Sequence, residues 1–271
     1  MKFHSGRYLK VDDVEKMVQS TTYKHCVVLI AGLHNSGKTT LITSIYEYFQ
    51  RGIRNYPFLF AGSQTLHEFE NLCYLSRVTS GSNNQIERTP LDSDERENFL
   101  HLCIRASPAS DASKNKSAYN LFLADFPGES FKNIVRSGKK LSQMRAIKIA
   151  NHFLFLMNGE ELISNRNKAF SDLSSIVRTT LDHIYSNKLQ LYKKTYYLII
   201  SKWDLIQNLS VTQRSDIVNY VDRKLNDLKD FTKNDYKIEL IIDKIAARPS
   251  KEALSIDGNL VNLIKSWTVK Q

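Results

Sequence analysis

The octapeptide Gly32-Leu-His-Asn-Ser-Gly-Lys38-Thr39 constrains the fold of this chain more than any other stretch. Before it stands Cys26-Val-Val-Leu-Ile-Ala31, a short β-branched run that reads as a strand buried on both faces. After it comes 39–50, where Leu41, Ile42, Ile45, Tyr46 and Phe49 recur at helical spacing. Strand, glycine-bounded turn and helix in this order make a loop whose successive backbone N–H groups point inward. Gly32 and Gly37 permit the curl, and the helix start adds the positive end of its dipole. The pattern G-x-x-x-x-G-K-[ST], matched without a mismatch, implies a cradle for the phosphates of a nucleoside triphosphate. Gly32, Asn35, Ser36, Gly37, Lys38, Thr39 and Thr40 form the expected binding set. Lys38 brings a point charge to the β and γ phosphates, and the Thr39 hydroxyl is the first expected Mg²⁺ ligand.

The remainder alternates strands and helices, which favours a mainly parallel sheet covered on both faces. Strands are expected at 57–61, 99–104, 119–124, 152–157, 195–200 and 238–242, and helices at 9–19, 64–75, 170–185, 213–228 and 260–267, with another ending at 150. The fold class that follows is α/β, a P-loop NTPase three-layer sandwich with a mainly parallel sheet and one antiparallel edge hairpin. With 271 residues and 42% apolar usage, the chain can bury a sizeable core. It reads as a single domain, 1–271, with a core of about 23–250, an N-terminal helix at 9–19, an insertion at 52–97 and a C-terminal helix at 260–267. No apolar run reaches the ~18 residues of a membrane span, and the N-terminus has no secretory h-region. Cys26, Cys73 and Cys103 make neither a CxxC nor an even set, so a reducing, cytoplasmic setting is expected.

Two more motifs fall at expected strand ends. In Asp125-Phe-Pro-Gly128-Glu129, a carboxylate can hold the Mg²⁺ shell, and the Gly128 N–H can sense a γ-phosphate. Its ordinary reading is a strand-to-turn D-x-P-G. In Ser201-Lys202-Trp203-Asp204, a carboxylate can accept from the N1–H and amino group of guanine, a donor pair that adenine lacks. The Lys202 stem can lie over the base plane. The ordinary reading here is a solvated Lys–Asp at a helix start.

The ordered set GLHNSGKT, DFPG and SKWD resembles a translation-factor-related, Ras-like GTPase domain (the TRAFAC clade) over roughly 23–250. The resemblance implies GTP and GDP as ligands, Mg²⁺, and slow hydrolysis of GTP in a nucleotide-dependent switch. It makes Lys38, Glu129 and Thr89 the catalytic set, with Thr39, Asp125 and Thr89 around the metal. Thr65 and Thr79 rival Thr89, and Arg88 beside it could act as an arginine finger. Glu129 stands where relatives have a water-orienting Gln, and Ser201 where they have a brace-forming Asn. Asn35 matches a K⁺-ligand position of potassium-activated relatives, and equally suits a tight turn. Ile245-Ala-Ala247-Arg resembles the last base-contacting loop, which assigns the Ala247 N–H to the guanine O6. Phe60-Ala-Gly-Ser-Gln-Thr-Leu66, Arg88-Thr-Pro90 and DFPGE resemble more finely the bacterial double-GTPase families of predicted conflict and defence systems.

The net charge of +10 has a local share at 131–150, where Lys132, Arg136, Lys139, Lys140, Arg145 and Lys148 occur without an acid. That stretch reads as a partner face or as a solvated helix. An effector or second GTPase is expected at 77–97 and 126–148, with nucleic acid the lesser expectation, since no aromatic ladder or helix-turn-helix pattern occurs. His101 and Cys103, two apart on one strand face, read as core and not as a metal pair. Two alternatives stay open: a G domain that binds GTP with little turnover, and an ATP-dependent P-loop protein in which SKWD is accidental.

Overall fold

The computed structural model describes residues 7–20, 23–33, 35–50, 58–75, 97–107, 118–125, 144–189, 193–247 and 258–269. β1 (Leu9–Lys10) runs into α1 (Val11–Ser20), followed by β2 (Lys24–Gly32), α2 (Lys38–Gln50), β3 (Phe58–Gly62) and α3 (Leu66–Leu75). Then come β4 (Asn98–Ala106), β5 (Ala118–Asp125), α4 (Arg145–Ile149), β6 (His152–Asn158) and α5 (Gly159–Ser186). β7 (Thr195–Ser201), α6 (Trp203–Gln207), α7 (Val211–Tyr236), β8 (Leu240–Lys244) and α8 (Gly258–Val269) complete it.

The strands form one sheet in the order β1-β4-β5-β2-β6-β7-β8, with β3 also on β4. From β5 to β8 the pairing is parallel, with Ile30 opposite both Asp125 and Leu154, and Ile199 opposite both Leu156 and Asp243. A strand sandwiched between helix layers has no polar side, which is why Cys26 to Gly32 are buried without interruption. Val27, Leu29 and Ala31 join the core under α1, α4, α5 and α7. Cys26, Val28 and Ile30 join the one under α2, α3 and α8. This is the expected three-layer α/β architecture.

The antiparallel edge is larger than the single expected hairpin. β4 pairs β5 on one side, and on the other it takes β1 (Leu9 opposite Phe99) and β3 (Phe58 opposite Ala106) end to end. Two helices outrun their sequence pattern. α5 begins at Gly159, eleven residues before the expected 170, because Asn165 (φ −154°, ψ 73°) breaks its helical phase. α7 extends to Tyr236 because Ser210 caps its start and Lys237, at φ 59°, closes its end, although its last turns bury little beyond Leu228 and Thr232.

The five-residue α4 is held from both ends. Its Arg145 guanidinium pairs with Asp12 and Glu15 of α1, and its Ala146 N–H donates to Glu97 Oε1 at 2.8 Å. Burial raises the Glu97 carboxyl pKa above its usual value, opposed by that N–H and by Arg145. At the other end the Lys194 ammonium donates to the carbonyls of Ile147, Lys148 and Ala150 at 3.2, 3.1 and 2.6 Å. Arg145 is therefore engaged inside the molecule, Lys148 is exposed, and Lys132, Arg136, Lys139 and Lys140 lie outside the described residues. No helix among the described residues is long and apolar enough to cross a membrane.

Candidate functional site

The parallel strands β5, β2, β6, β7 and β8 end side by side, and the phosphate-loop, SKWD and Ala247 residues lie at these carboxyl ends. β2 stops at Gly32, where a Cβ would lie 2.5 Å from Ser36 Oγ and 3.1 Å from the Leu156 carbonyl oxygen. Only glycine lets the loop pass that close to β6. Asn35 (φ 60°) and Gly37 (φ 84°) take the left-handed conformation that reverses the chain into α2. For Asn35 the turn alone accounts for the residue type.

Lys38 opens α2 almost buried, and its Nζ donates to Gly32 O at 2.8 Å and Leu33 O at 3.0 Å. The ammonium is thus bent back over the mouth of its own loop. Ser36 is buried, and its Oγ has no hydrogen-bond partner among the described residues. Thr39 is half-buried at the second helical position. Asp125 ends β5 opposite Ile30, one strand from the loop.

The third motif folds as a unit against the loop. Ser201 Oγ donates to Met157 O at 3.1 Å, so the serine braces β7 to β6. A Cβ on Gly37 would sit 3.5 Å from the Ser201 side chain, so serine and loop are in van der Waals range. Lys202 adopts φ 52° at the start of α6, turning the chain so that Asp204 enters the first helical turn. Lys202 Nζ reaches Glu160 Oε2 in the first turn of α5 at 2.6 Å. The β8 exit is laced to the β7 exit by Ile245 N–H to Ile200 O (2.8 Å) and Trp203 N–H to Ile245 O (3.3 Å).

The result is a cleft of about 260 Å³ that brings Gly37 and Thr40 together with Ser201, Lys202, Asp204 and Ala247. Leu41, Leu156, Ile199, Leu205 and Ile245 supply apolar walls, the mix of flat apolar surface and few polar groups that suits an aromatic base. Thr89, Gly128 and Glu129 lie outside the described residues, as do Thr79 and Arg88. Thr65 is described and is not at the cleft. It is fully buried under β4, its Oγ1 accepting from His101 N–H at 2.9 Å. His101 itself accepts from Gln64 N–H at Nδ1 and bonds Asn120 through Nε2, with burial lowering its pKa to about 4. Among the described residues no His, Cys, Asp and Glu cluster could hold a metal.

Sequence reasoning missed Gly159 and Glu160. A Cβ on Gly159 would meet Ser201 O at 2.3 Å, so this glycine lets α5 start against the SKWD turn. The signal was present as Asn158-Gly-Glu160 after an apolar strand, with Asn158 capping the Glu160 N–H at 3.1 Å.

Residues 26–268 match the family model described as Double-GTPase 2. No curated protein matches the sequence. Among solved structures, translation elongation factor SelB from Methanococcus maripaludis, in complex with the GTP analogue GppNHp, matches with a TM-score of 0.43 and 14% identity. That match covers 91% of this chain and 34% of SelB. Sup35 complexed with GDP matches with a TM-score of 0.37 and 11% identity, covering 86% of this chain and 40% of that one. The chain spans well under half the length of either structure.

Proposed function

The chain belongs to the Double-GTPase 2 family and carries a GTP-binding G domain, and on that premise we propose that it hydrolyses GTP to GDP and phosphate with Mg²⁺ as a nucleotide-dependent switch. The observation that carries this reading is the single cleft that unites the phosphate loop with Lys202, Asp204 and Ala247. In it, Asp204 accepts from the guanine N1–H and amino group, the Lys202 stem covers the base, and the Ala247 N–H meets O6. Lys38 exchanges its two loop carbonyls for the β and γ phosphate oxygens. The carbonyls are uncharged and the phosphates are not, so the exchange favours the bound state.

Thr39, Asp125 and Thr89 are the residues that would hold Mg²⁺, which when bound neutralises charge on the transferring phosphoryl group. Gly128 senses the γ-phosphate and Glu129 orients the attacking water. A carboxylate beside a polyanion is a poor base unless paired, so turnover is slow without a partner. Glu129 also favours a second reading, a G domain that holds GTP or assembles with another GTPase and turns over little. The effector or second GTPase docks through 77–97 and 126–148.

Calorimetric competition between GTP and ATP is the deciding experiment, with GTP expected to displace ATP and not the reverse. An equal affinity for ATP would remove the guanine assignment. Single-turnover hydrolysis with and without Mg²⁺ and K⁺ then separates the two GTP readings and tests Asn35 as a K⁺ ligand.

A further inference from the structure

Lys202 reaches the base cleft from the turn between β7 and α6, and the neighbouring turn between β6 and α5 holds it there. The Lys202 backbone sits at φ 52°, a left-handed conformation that a lysine keeps only where its surroundings enforce it. Gly159, the first residue of α5, lies against this backbone so closely that only glycine fits. A Cβ there would stand 2.3 Å from Ser201 O and 3.0 Å from Lys202 O. Two residues earlier, Met157 O accepts from Ser201 Oγ at 3.1 Å. The β6-to-α5 turn therefore backs the Ser201-Lys202 segment directly.

Glu160, the next residue, takes the far end of the lysine. Its Oε2 accepts from Lys202 Nζ at 2.6 Å. The Glu160 backbone is itself fixed in the first turn of α5, because its N–H donates to Asn158 Oδ1 at 3.1 Å. An isolated surface ion pair contributes little, since two long side chains must be ordered to make it. Here the two backbones are already packed together, and only side-chain torsions remain to be set. Lys202 lines the cleft and Glu160 does not. The carboxylate thus stands behind the lysine, and the four-carbon stem is tethered at both ends.

A lysine stem covers a base through its methylene groups, and a loose stem loses rotamer freedom when a ligand pins it. A tethered stem has lost that freedom before the ligand arrives, which is the gain of preorganisation. We propose that Glu160 is a positioning residue for guanine binding, holding the Lys202 ammonium toward α5 so that the stem stands as a preformed wall for the base. The role rests on the guanine reading of the cleft. It brings the turn Asn158-Gly159-Glu160 into base recognition through Lys202 alone.

Calorimetric titration of the full chain with GDP, ADP and pyrophosphate, in the presence of Mg²⁺, is the test. The unsubstituted protein is expected to prefer GDP to ADP; equal affinities would remove the guanine reading and the positioning role with it. Glu160 is exposed, so its variants keep the fold. Glu160→Ala should weaken GDP binding about three- to fivefold and leave pyrophosphate, which has no base, unchanged. Glu160→Gln keeps the length and an acceptor oxygen and should recover at least half of that loss. A carboxylate that served only the helix dipole would lose as much in either variant. In a Lys202→Met background, which keeps a stem without an ammonium, Glu160→Ala should weaken GDP no further. Four results each overturn the positioning role while leaving the guanine site standing: unchanged GDP affinity in Glu160→Ala, an equal loss for pyrophosphate, no recovery in Glu160→Gln, or an undiminished GDP loss in the Lys202→Met background.

Discussion

At the carboxyl edge of the sheet, Lys38 donates to Gly32 O and Leu33 O, and Ser201 donates to Met157 O. At the amino edge, the buried His152 ring nitrogens and the Trp267 Nε1–H have no hydrogen-bond partner among the described residues. The same strands supply both edges, so the difference lies in the connections. Tight β-to-α turns at the carboxyl edge bring spare carbonyls to each side chain. At the amino edge, helix ends and strand starts from six elements (α1, β2, α4, β6, β7 and α8) meet around open space. A phosphate entering the first edge would exchange the internal hydrogen bonds of Lys38, whereas the second edge keeps buried polar atoms unmatched among the described residues.

Lys38→Ala tests the first half of that comparison most severely. Two charge-assisted hydrogen bonds at about 1.5–3 kcal/mol each predict a loss of ~10²–10⁴ in affinity for a labelled GTP analogue. Undiminished binding would refute the phosphate site. Asp204→Asn comes next, with at least ~100-fold lost for GTP and the preference moved toward XTP; an unchanged nucleotide profile in a competition series would sink the guanine contact.

Gly159→Ala forces a methyl onto Ser201 O and Lys202 O, both backbone atoms, and should cost about 1–3 kcal/mol in urea unfolding. Two buried histidines, His152 at the amino edge and His101 within β4, are probed by pH. His101 and His152 are held near 4 when folded against 6.5 when free, so the unfolded chain binds more protons between those values. Stability is full above about pH 6.5 and falls toward pH 4, by on the order of 3 kcal/mol per histidine. His152→Phe should halve that acid slope in unfolding curves, and an unaltered slope would mean that His152 is not buried neutral. The smallest effect belongs to Glu160→Ala, which frees the half-buried Lys202 and should change GTP affinity only a few-fold, about 1 kcal/mol or less.

The carboxyl edge was legible in the sequence because its determinants are local. Eight consecutive residues define the phosphate loop, and SKWD makes its own left-handed turn. Ser201, standing where relatives have a brace-forming Asn, turns its hydroxyl to Met157 O of β6. The start of α5 was not legible, because Asn165 interrupts the apolar period that locates a helix. β1, two residues long, is too short to register as a pattern and exists because β4 offers it an edge. The amino-edge cavity was illegible for a deeper reason. Glu15, His25, His152, Lys193 and Trp267 are spread over more than 250 residues of chain, and no spacing rule connects them.

α4 has a mechanical consequence. A five-residue helix does not persist alone, yet this one is bolted to α1 by Arg145, to the foot of β4 by Glu97 and to β7 by Lys194. Held on three sides, α4 fixes where the chain enters β6, and with it the pairing of His152 with both Val28 and Thr195 from which the register of the central strands is counted.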